Sequence, residues 1–303
     1  MRAVLLLLVV LFGAALAAML WQHSRYLHAR RAFAEDQQPL FHSSDVFHVV
    51  TFLELAPGSD LFESVRKLRD VVEAGGAAKM VYAGKVALNA QHSRQLVEKF
   101  GEEVPWDAIT VVQFPSREAW DRASTGEGWA LALAPFARTY THGMKRAALA
   151  NLLVPQAFLA TRVRQILTRV PSQLPFEPAP KEEWVIPKEA PFEKITAERE
   201  LGAQAAVVVN LVLPGSAEQV AADREYVGRM LALMAEVGNG PMHMGRAVTL
   251  ERGTDYENVA IVYYPGVEYF RNMLQSRFYQ GIIGRKQLGD NQSSITVPIL
   301  GRL

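Results

Sequence analysis

Two segments of this chain, residues 106–120 and 256–270, align with each other without a gap. Three positions carry the same residue in both segments: Val112 and Val262, Pro115 and Pro265, and Glu118 and Glu268. Six of the other twelve positions pair residues of the same chemical type, such as Trp106 with Tyr256 and Asp107 with Glu257. Self-similarity at a fixed separation is the mark of an internal repeat. The chain is therefore predicted to contain two copies of one folding unit.

The first copy carries alternating strand and helix signals. Residues 46–55 are rich in β-branched and aromatic side chains, and the Pro-Gly-Ser sequence at 57–59 indicates a turn. Apolar residues then recur at helical spacing over residues 61–72. The further predicted elements are a strand at 79–89, a short helix at 91–101, a strand at 109–114, a helix from 116 and a strand at 152–155. The resulting order, β-α-β-β-α-β, is that of a ferredoxin-like unit.

The second copy repeats this order. Its predicted elements are a strand at 205–213, a helix with apolar residues from 220 to 234, strands at 242–250 and 259–264, a helix at 268–274 and a strand at 295–298. Matching residues outside the aligned segment are Pro57-Gly58-Ser59 with Pro214-Gly215-Ser216, Gly84 with Gly245, and Lys85 with Arg246. Agreement at several separate places supports a repeat of the whole unit.

A proline-rich segment separates the two copies. Residues 171–191 contain six prolines, which are incompatible with a helix or a central strand and predict a stiff, extended linker. Just before it, residues 156–170 place apolar side chains on one helical face and arginines elsewhere. Two interpretations stay open for this amphipathic segment: a helix packed on its own domain, or a basic helix lying on anionic lipid.

The N-terminus has the composition of a membrane segment. Residues 3–21 carry no charge, a length that can span a bilayer as a helix, and Arg25, Arg30 and Arg31 follow it. We expect a retained single-pass anchor in a bacterial inner membrane, which makes membrane lipid a partner of the chain. The alternative is a cleaved signal peptide, because Ala15-Leu16-Ala17 fits a small-x-small cleavage site. The charge difference across the segment does not decide on which side the rest of the chain lies.

These signals divide the chain into five parts. They are residues 1–31 (anchor or signal sequence with its basic flank), 32–45 (tether), 46–170 (first repeat with a trailing amphipathic helix), 171–204 (linker) and 205–303 (second repeat).

Composition excludes some classes of function. Lys and Arg total 32 against 31 Asp and Glu, so the basic field that nucleic-acid binding needs is missing, and we expect no nucleic-acid partner. The chain has no cysteine, which excludes disulfides, thiolate metal sites and a cysteine nucleophile. No P-loop, serine nucleophile elbow, HExxH or GxGxxG motif is present.

The repeated pattern, followed in the second copy by Ser276-Arg277-Phe278-Tyr279-Gln280 and the basic residue Arg285, resembles a known family. It is similar to the small bacterial proteins of the dimeric α+β barrel superfamily, in particular its domain family of unknown function with an S-x-x-Y-Q segment. The resemblance covers residues 47–159 and 205–300. It is weaker in the first copy, which has TGEGW at 125–129.

The resemblance implies an architecture. Two such units usually pair sheet to sheet across a dimer, so a tandem chain is similar to that dimer made covalent. The expected fold is α+β: two tandem ferredoxin-like repeats forming an intrachain dimeric α+β barrel, preceded by one N-terminal transmembrane helix. Further self-association stays open. The superfamily also implies a cavity in each unit, between the sheet and its own helices, and it hosts varied chemistry. A shared fold does not carry over an activity.

Candidate site residues follow from residue type and position. His142 is the best general-base candidate, and Tyr279 of the S-x-x-Y-Q segment is the second catalytic candidate. The plainer interpretation of His142 is an exposed or helix-ending side chain beside Gly143. Candidate ligand-binding residues are Tyr263, Tyr264, Arg246, Arg285 and Trp129. The plainer interpretation of the aromatic residues among them is a core or interface position.

No cofactor or metal is expected. Haem-binding relatives use a helical histidine in the C-terminal repeat, whereas His243, on a predicted strand, is the only histidine after His142. Haem-degrading relatives combine an Asn, a Trp and a His in one unit, but here Asn210 lies in the second copy and the Trp and His candidates in the first. The Met-His-Met sequence at 242–244 places alternate side chains on opposite faces of a strand, which disfavours a copper site.

The sequence therefore predicts a membrane-anchored tandem α+β barrel protein that binds a small apolar ligand or has a structural role in an assembly. The alternative is a cofactor-free monooxygenase or isomerase acting on a small apolar substrate.

Overall fold

A computed structural model describes residues 2–28, 34, 43, 45–186 and 192–303. The elements up to the linker are α1 (Arg2–His28), β1 (Phe47–Leu55), α2 (Leu61–Glu73), β2 (Lys79–Gln91), α3 (Arg94–Phe100), β3 (Ala108–Phe114), α4 (Arg117–Ser124), α5 (Glu127–Leu133), β4 (Phe136–Lys145) and α6 (Ala150–Leu167). Those after it are α7 (Phe192–Ala197), β5 (Ala206–Leu213), α8 (Ala217–Val237), β6 (Gly240–Thr249), β7 (Asn258–Tyr264), α9 (Val267–Leu274), α10 (Arg277–Ile283) and β8 (Asp290–Pro298). Short 3-10 turns lie at Lys181–Glu183 and Leu300–Arg302.

The eight strands form one closed antiparallel barrel in the order β1-β3-β2-β8-β5-β7-β6-β4. Each half of the chain contributes four consecutive strands to this ring, in the same internal order. Two joints between the halves close it: β2 pairs with β8, and β4 pairs with β6. The α+β class and the barrel predicted from the sequence are thus confirmed.

Alternation along the strands separates two kinds of core. On β5, the side chains of Val207, Val209 and Leu211 are fully buried inside the barrel, whereas Val208 and Asn210 point to the opposite face, where the helices pack. The barrel interior is one apolar cluster shared by both halves. Each half adds a second cluster between the outer face of its strands and its own helices.

Glycine permits the close approach of strands at both joints between the halves. A Cβ atom on Gly84 in β2 would lie 2.9 Å from Cβ of Thr296 in β8, and one on Gly245 in β6 would lie 2.4 Å from the carbonyl oxygen of Lys145 in β4. Gly84 and Gly245 are the pair that the sequence comparison matched. Their equivalence therefore has a physical reason, because each lies where one half meets the other.

Polar contacts reinforce the β2–β8 joint. The hydroxyl groups of Tyr82 and Thr296 lie 2.7 Å apart. The carboxylate of Asp290 in β8 accepts hydrogen bonds from Ser93 Oγ (2.6 Å) and the backbone N–H of Arg94 (3.0 Å), so it caps a helix of the other half. Burial raises the pKa of the Asp290 carboxyl, but these hydrogen bonds outweigh it and hold that pKa below its usual value.

The predicted fourth strand of the first copy, at 152–155, is wrong. The strand is β4, and residues 152–155 lie inside α6. The apolar run before Pro155 resembles the end of a strand, but Pro155 is accommodated within the helix. It has no N–H to donate to the carbonyl of Asn151 one turn earlier. His23 of α1 lies with its Nδ1 atom 3.1 Å from that carbonyl oxygen and, since a carbonyl only accepts, donates to it.

Helix α1 is anchored at its C-terminal end and exposed elsewhere. Gln156 Nε2 donates to the carbonyl of Met19 (3.1 Å), and the Tyr26 hydroxyl donates to the carbonyl of Pro241 in β6. From Val4 to Phe12 the apolar side chains are 56–72 % exposed. Within the described part of the chain, α1 is the one helix long and apolar enough to span a membrane. Arg30, Arg31 and most of the predicted tether lie outside the described residues.

The proline-rich segment packs on the second half. The backbone N–H of Ala179 donates to Gln275 (2.8 Å), and that of Arg277 donates to Glu177 (2.9 Å). After residues 187–191, which the structure does not describe, Ile195 of α7 is buried in the cluster beneath the helices of the second half. This segment therefore forms part of the wall of that half.

Replacing Gly245 by alanine should destabilise the β4–β6 joint. The added methyl group meets backbone that cannot yield as a flexible side chain does, and overpacking of this kind costs about 1–3 kcal/mol. Gly228→Ala is the matched control, because its Cβ meets open space within α8 and alanine is the better helix former by about 1 kcal/mol. Thermal unfolding of the full-length variants should show a lower midpoint for Gly245→Ala and an unchanged or higher one for Gly228→Ala. Equal midpoints would contradict this account of the joint.

Candidate functional site

The second half contains a cavity of about 700 Å³ between its strands and its helices. Its floor is the outer face of the sheet, where Val208, Ala260 and Ile295 lie, and its roof is formed by α8, α9 and α10. Methionines of the roof, Met230 and Met273, face it. The volume is in the range of sites that enclose a small molecule, and the lining is predominantly apolar.

A polar pair interrupts the apolar floor. Asn210 in β5 and Ser293 in β8 stand opposite each other in the strand register, and Ser293 Oγ donates to Asn210 Oδ1 at 2.9 Å. The Asn210 amide also donates to the carbonyl of Ala260 at 3.3 Å. The two side chains are thus held in one orientation, with polar atoms at a fixed place in the wall.

Three tyrosines contribute hydroxyl groups to the lining: Tyr226 of α8, Tyr264 of β7 and Tyr279 of α10. The rings of Tyr226 and Tyr279 meet edge to face, with their centroids 6.4 Å apart. Burial raises the pKa of Tyr279 to about 12 and also raises the pKa values of Tyr226 and Tyr264. All three are therefore neutral at pH 7 and can act as hydrogen-bonding groups.

Two groups of opposite charge border the same cavity. Burial raises the pKa of the Asp223 carboxyl and lowers the pKa of the Lys286 amine, and in each case the charge of the other residue partly offsets the shift. Both effects reflect removal of charge from water. The pair supplies a donor and an acceptor without a large net charge.

The corresponding space in the first half is filled. Helices α4 and α5 begin and end 150 positions before α9 and α10, which places Trp129 at the position of Tyr279. Trp129 packs edge to face on Trp120 at 5.0 Å, and Trp120 packs on Phe114 at 5.4 Å. These rings occupy the core between the first sheet and its helices.

The structure brings two of the seven predicted site residues to the cavity, Tyr264 and Tyr279. Tyr263 points instead into the barrel, and its hydroxyl donates to the carbonyl of Gly238 at 3.0 Å. Arg285 is at the surface, where its Nε atom lies 3.7 Å from a carboxylate oxygen of Glu225. The others are also apart from the cavity: Arg246 is exposed on β6, Trp129 belongs to the first half, and His142 is inside the barrel.

His142 lies on β4 and is completely buried, so the exposed or helix-ending position considered for it is wrong. Its Nδ1 atom is 2.9 Å from the Tyr140 hydroxyl, which lies 2.7 Å from Thr254 Oγ1. Its ring meets Tyr256 edge to face at 5.6 Å. Burial lowers the pKa of His142 to about 4, although Asp255 opposes the shift. The imidazole is therefore neutral at pH 7. Because the sheet separates it from Tyr279, the two catalytic candidates do not form one site.

A second histidine group occupies the barrel interior. The rings of His48 and His243 are 5.3 Å apart, and Arg146 Nη1 lies 3.2 Å from His243 Nδ1. Arg146 Nη2 donates to Asn151 Oδ1 at 2.5 Å, which links this group to α6. Across the described residues, no three histidine or acidic side chains converge as a metal site would require.

Several residues of the cavity were not among the sequence candidates. Asn210 is the polar position on a face of β5 that otherwise carries Ala and Val, which is a usable signal. Ser293 shares its face of β8 with the polar residue Asn291 and gives no such signal. Asp223, Tyr226 and Lys286 lie on or after helices whose polar residues look like ordinary surface positions. Only folding brings these three side chains close together, so no local sequence pattern marks them as one site.

Replacing His142 by phenylalanine should remove part of the acid sensitivity of the fold. As the pH falls from about 6.5 towards 4, the unfolded chain takes up a proton that folded His142 does not accept, so this residue lowers the free energy of unfolding by about 1.4 kcal/mol per pH unit. Thermal midpoints of the full-length protein at pH 7, 5.5 and 4.5 should fall less in His142→Phe than in the wild type. Ala221→Phe, which introduces the same ring at an exposed position of α8 and removes no histidine, should keep the wild-type slope. An unchanged slope in His142→Phe would contradict burial of a neutral imidazole.

Comparison with protein-family models and with curated proteins gives no match. Among solved structures, the chain is similar to a mutant chlorite dismutase from Candidatus Nitrospira defluvii, at 11 % identity over 87 % of this chain and 96 % of that one, with a TM-score of 0.42. An anthrone oxidase-like protein matches at 13 % identity over 84 % of this chain and 92 % of that one, with a TM-score of 0.40. At this level of similarity, neither structure transfers an activity to the chain. What the chain's own structure shows is a closed eight-stranded antiparallel barrel with helices packed outside each half.

Proposed function

We propose that this protein binds a small apolar ligand in the cavity of its second half while α1 holds it at a membrane. The observation that carries the proposal is the cavity itself, about 700 Å³ lined mainly by aliphatic and aromatic side chains. Cores normally pack without such voids, and an apolar space of this size loses contact energy unless something fills it. In the first half, Trp120 and Trp129 occupy the corresponding space between the sheet and its helices.

Fixed polar groups would orient the ligand. The Asn210–Ser293 pair offers hydrogen-bonding atoms from the floor, and Asp223 and Lys286 offer an acceptor and a donor from the border. An apolar enclosure with a few placed polar groups is the usual composition of a small-molecule site. This composition favours a ligand with a hydrocarbon body and one polar group.

We also propose that the two halves are tandem ferredoxin-like repeats that pair within one chain as two subunits do in a dimer. The equal spacing of four helices and the shared strand order support this interpretation. The proposed boundaries are residues 1–31 for the membrane segment, 32–45 for the tether, 46–170 and 205–303 for the repeats and 171–204 for the linker. Further self-association stays a prediction.

The membrane proposal treats α1 as a retained anchor in a bacterial inner membrane. The helix runs without interruption from the exposed apolar turns through Ala17 to the turns that bond α6 and β6. The bonded residues Met19, His23 and Tyr26 all follow the candidate cleavage site. These residues are therefore present whether or not the segment is cleaved. The mass of the mature protein distinguishes the two cases.

Intact mass spectrometry of the natively expressed protein tests the anchor. A retained anchor predicts a membrane-extracted protein whose mass includes residues 2–17. A mass that begins at Ala18, with the protein recovered in a soluble fraction, would exclude the anchor. Replacing Ala17 by leucine serves as the control, because it removes the small residue required for cleavage and should leave the mass of a retained anchor otherwise unchanged.

Ligand binding is tested with 1-dodecanol, a hydrocarbon chain with a neutral polar head. Native mass spectrometry of the full-length protein should show a one-to-one adduct in the wild type. Ala260→Phe should reduce the adduct about tenfold or more, because the ring enters the cavity from its floor. Ala221→Phe places the same ring on the exposed side of α8 and should keep the adduct. Equal adducts in both variants would show that the alcohol binds elsewhere.

The alternative function is a cofactor-free monooxygenase or isomerase acting on a small apolar substrate. The observation that favours it is the raised pKa of Asp223 beside an apolar cavity, since a general base works best when its pKa approaches the working pH. Of the predicted catalytic residues, Tyr279 reaches this cavity. A bound compound recovered from the protein with altered mass, and recovered unaltered from Tyr279→Phe, would favour the enzyme over the binding protein.

A further inference from the structure

The cavity wall is joined to the candidate membrane anchor. Pro241 at the start of β6 lines the cavity, and its carbonyl oxygen accepts the hydrogen bond from Tyr26, near the end of α1. Tyr26 itself is 6 % exposed. Only a few residues separate it from Trp21, the aromatic residue at the end of the apolar run. The site therefore lies close to the level at which α1 would leave a bilayer.

The rim of the cavity is apolar and open. Val227 and Leu231 of α8 and Met244 of β6 line the cavity and are nevertheless 40 %, 37 % and 45 % exposed. Large aliphatic side chains at an opening are unfavourable in water, and exposed apolar patches commonly mark contact sites. The polar pair formed by Asp223 and Lys286 also borders the cavity, with Asp223 one helical turn before Val227.

Helix α6 connects the anchor to this rim. It bonds α1 through Gln156, and further along it bonds α8 through Gln165, whose Nε2 donates to the carbonyl of Ala232 at 2.9 Å. Ala232 follows the rim residue Leu231. Apolar side chains of this connecting segment are strongly exposed: Leu153 57 %, Val163 46 %, Ile166 62 %, Leu167 77 % and Val170 52 %. Its arginines are Arg162, Arg164 and Arg169.

An exposed apolar stripe with arginines beside it fits a membrane surface. Aliphatic side chains enter the boundary between headgroups and acyl chains, and arginines attract lipid phosphates. Five exposed aliphatic side chains between residues 153 and 170 are unfavourable for a segment that faces water. Continuity with α1, the proposed membrane anchor, points to lipid as the occupant of this face.

We propose that α6 lies on the bilayer surface and that the cavity takes its ligand directly from the lipid phase, a membrane-dissolved amphiphile with one hydrocarbon body and a neutral or zwitterionic head. The proposal rests on the ligand-binding function proposed above and adds the source of the ligand. The opposite charges of Asp223 and Lys286 suit a head without net charge. The apolar stripe and rim give the hydrocarbon body a path that avoids water.

The absence of cysteine makes the contact measurable, because single cysteines can be labelled without background. Ile166→Cys and Leu231→Cys carry a fluorophore on the stripe and on the rim, and Ala130→Cys carries it on the exposed surface of α5 in the first half. The full-length protein is reconstituted in phosphatidylcholine vesicles with and without brominated acyl chains. Bromine should quench the labels at 166 and 231 several-fold more than the label at 130. Equal quenching at all three positions would overturn the proposal.

A kinetic experiment separates the source of the ligand from binding itself. 1-Dodecanol bearing a terminal fluorophore is preloaded into vesicles, and its transfer to the cavity is followed by energy transfer from the tryptophans. Replacing Ile166 and Leu167 together by aspartate should slow transfer about tenfold or more, because charged side chains then replace two aliphatic side chains that contact lipid in the proposed arrangement. Replacement of Ala160 and Thr161 on the same helix by serine should not.

The equilibrium adduct with free 1-dodecanol is the readout that tests binding alone. It should be equal in the wild type and the aspartate variant, since both substituted side chains are at the surface. An unchanged transfer rate in the aspartate variant, with the adduct intact, would overturn entry from the lipid phase and leave the binding function standing. Loss of the adduct in Ala260→Phe but not in the aspartate variant keeps the two conclusions distinct.

Discussion

Closure of the barrel is the constraint on which the rest of the structure depends. Each half alone is a four-stranded sheet with two free edges, and exposed edges invite pairing with other chains. Pairing β2 with β8 and β4 with β6 removes all four edges at once and encloses a common apolar interior. Gly84 and Gly245 stand at the two joints because a side chain at either position would meet the neighbouring strand.

The outer layers of the two halves then differ in what they enclose. In the first half, Trp120 and Trp129 fill the space between sheet and helices, and α2 spans 13 residues. In the second half, α8 spans 21 residues, and Phe270 and Tyr279 stand at the positions of Trp120 and Trp129 beside the cavity. The two halves thus share their internal strand order and differ in the packing beneath their helices.

Helix α1 is joined to the folded domain through two backbone carbonyl groups, one in α6 and one in β6. Pro155 deprives the Asn151 carbonyl of its helical donor, and His23 supplies another; Tyr26 bonds the carbonyl of Pro241. Carbonyls of this kind would otherwise be costly to bury. The same contacts bring α1, α6 and the rim of the cavity together, which is the geometry behind the proposed exchange with lipid.

The sequence by itself determined the α+β class, the long apolar N-terminal helix and most strand positions, because periodicity and turn residues are local properties. It misplaced the fourth strand of the first copy, where an apolar run before Pro155 has the same local appearance in a helix as in a strand. Tertiary structure alone decided which side chains share the cavity. Tyr263 and Tyr264 are neighbours in sequence but face opposite sides of the sheet, whereas Asp223 and Lys286 are far apart in sequence and border one site. The side of the sheet that a side chain faces, and the residues that lie near it, depend on strand register and helix packing. Register and packing are fixed only when the barrel closes.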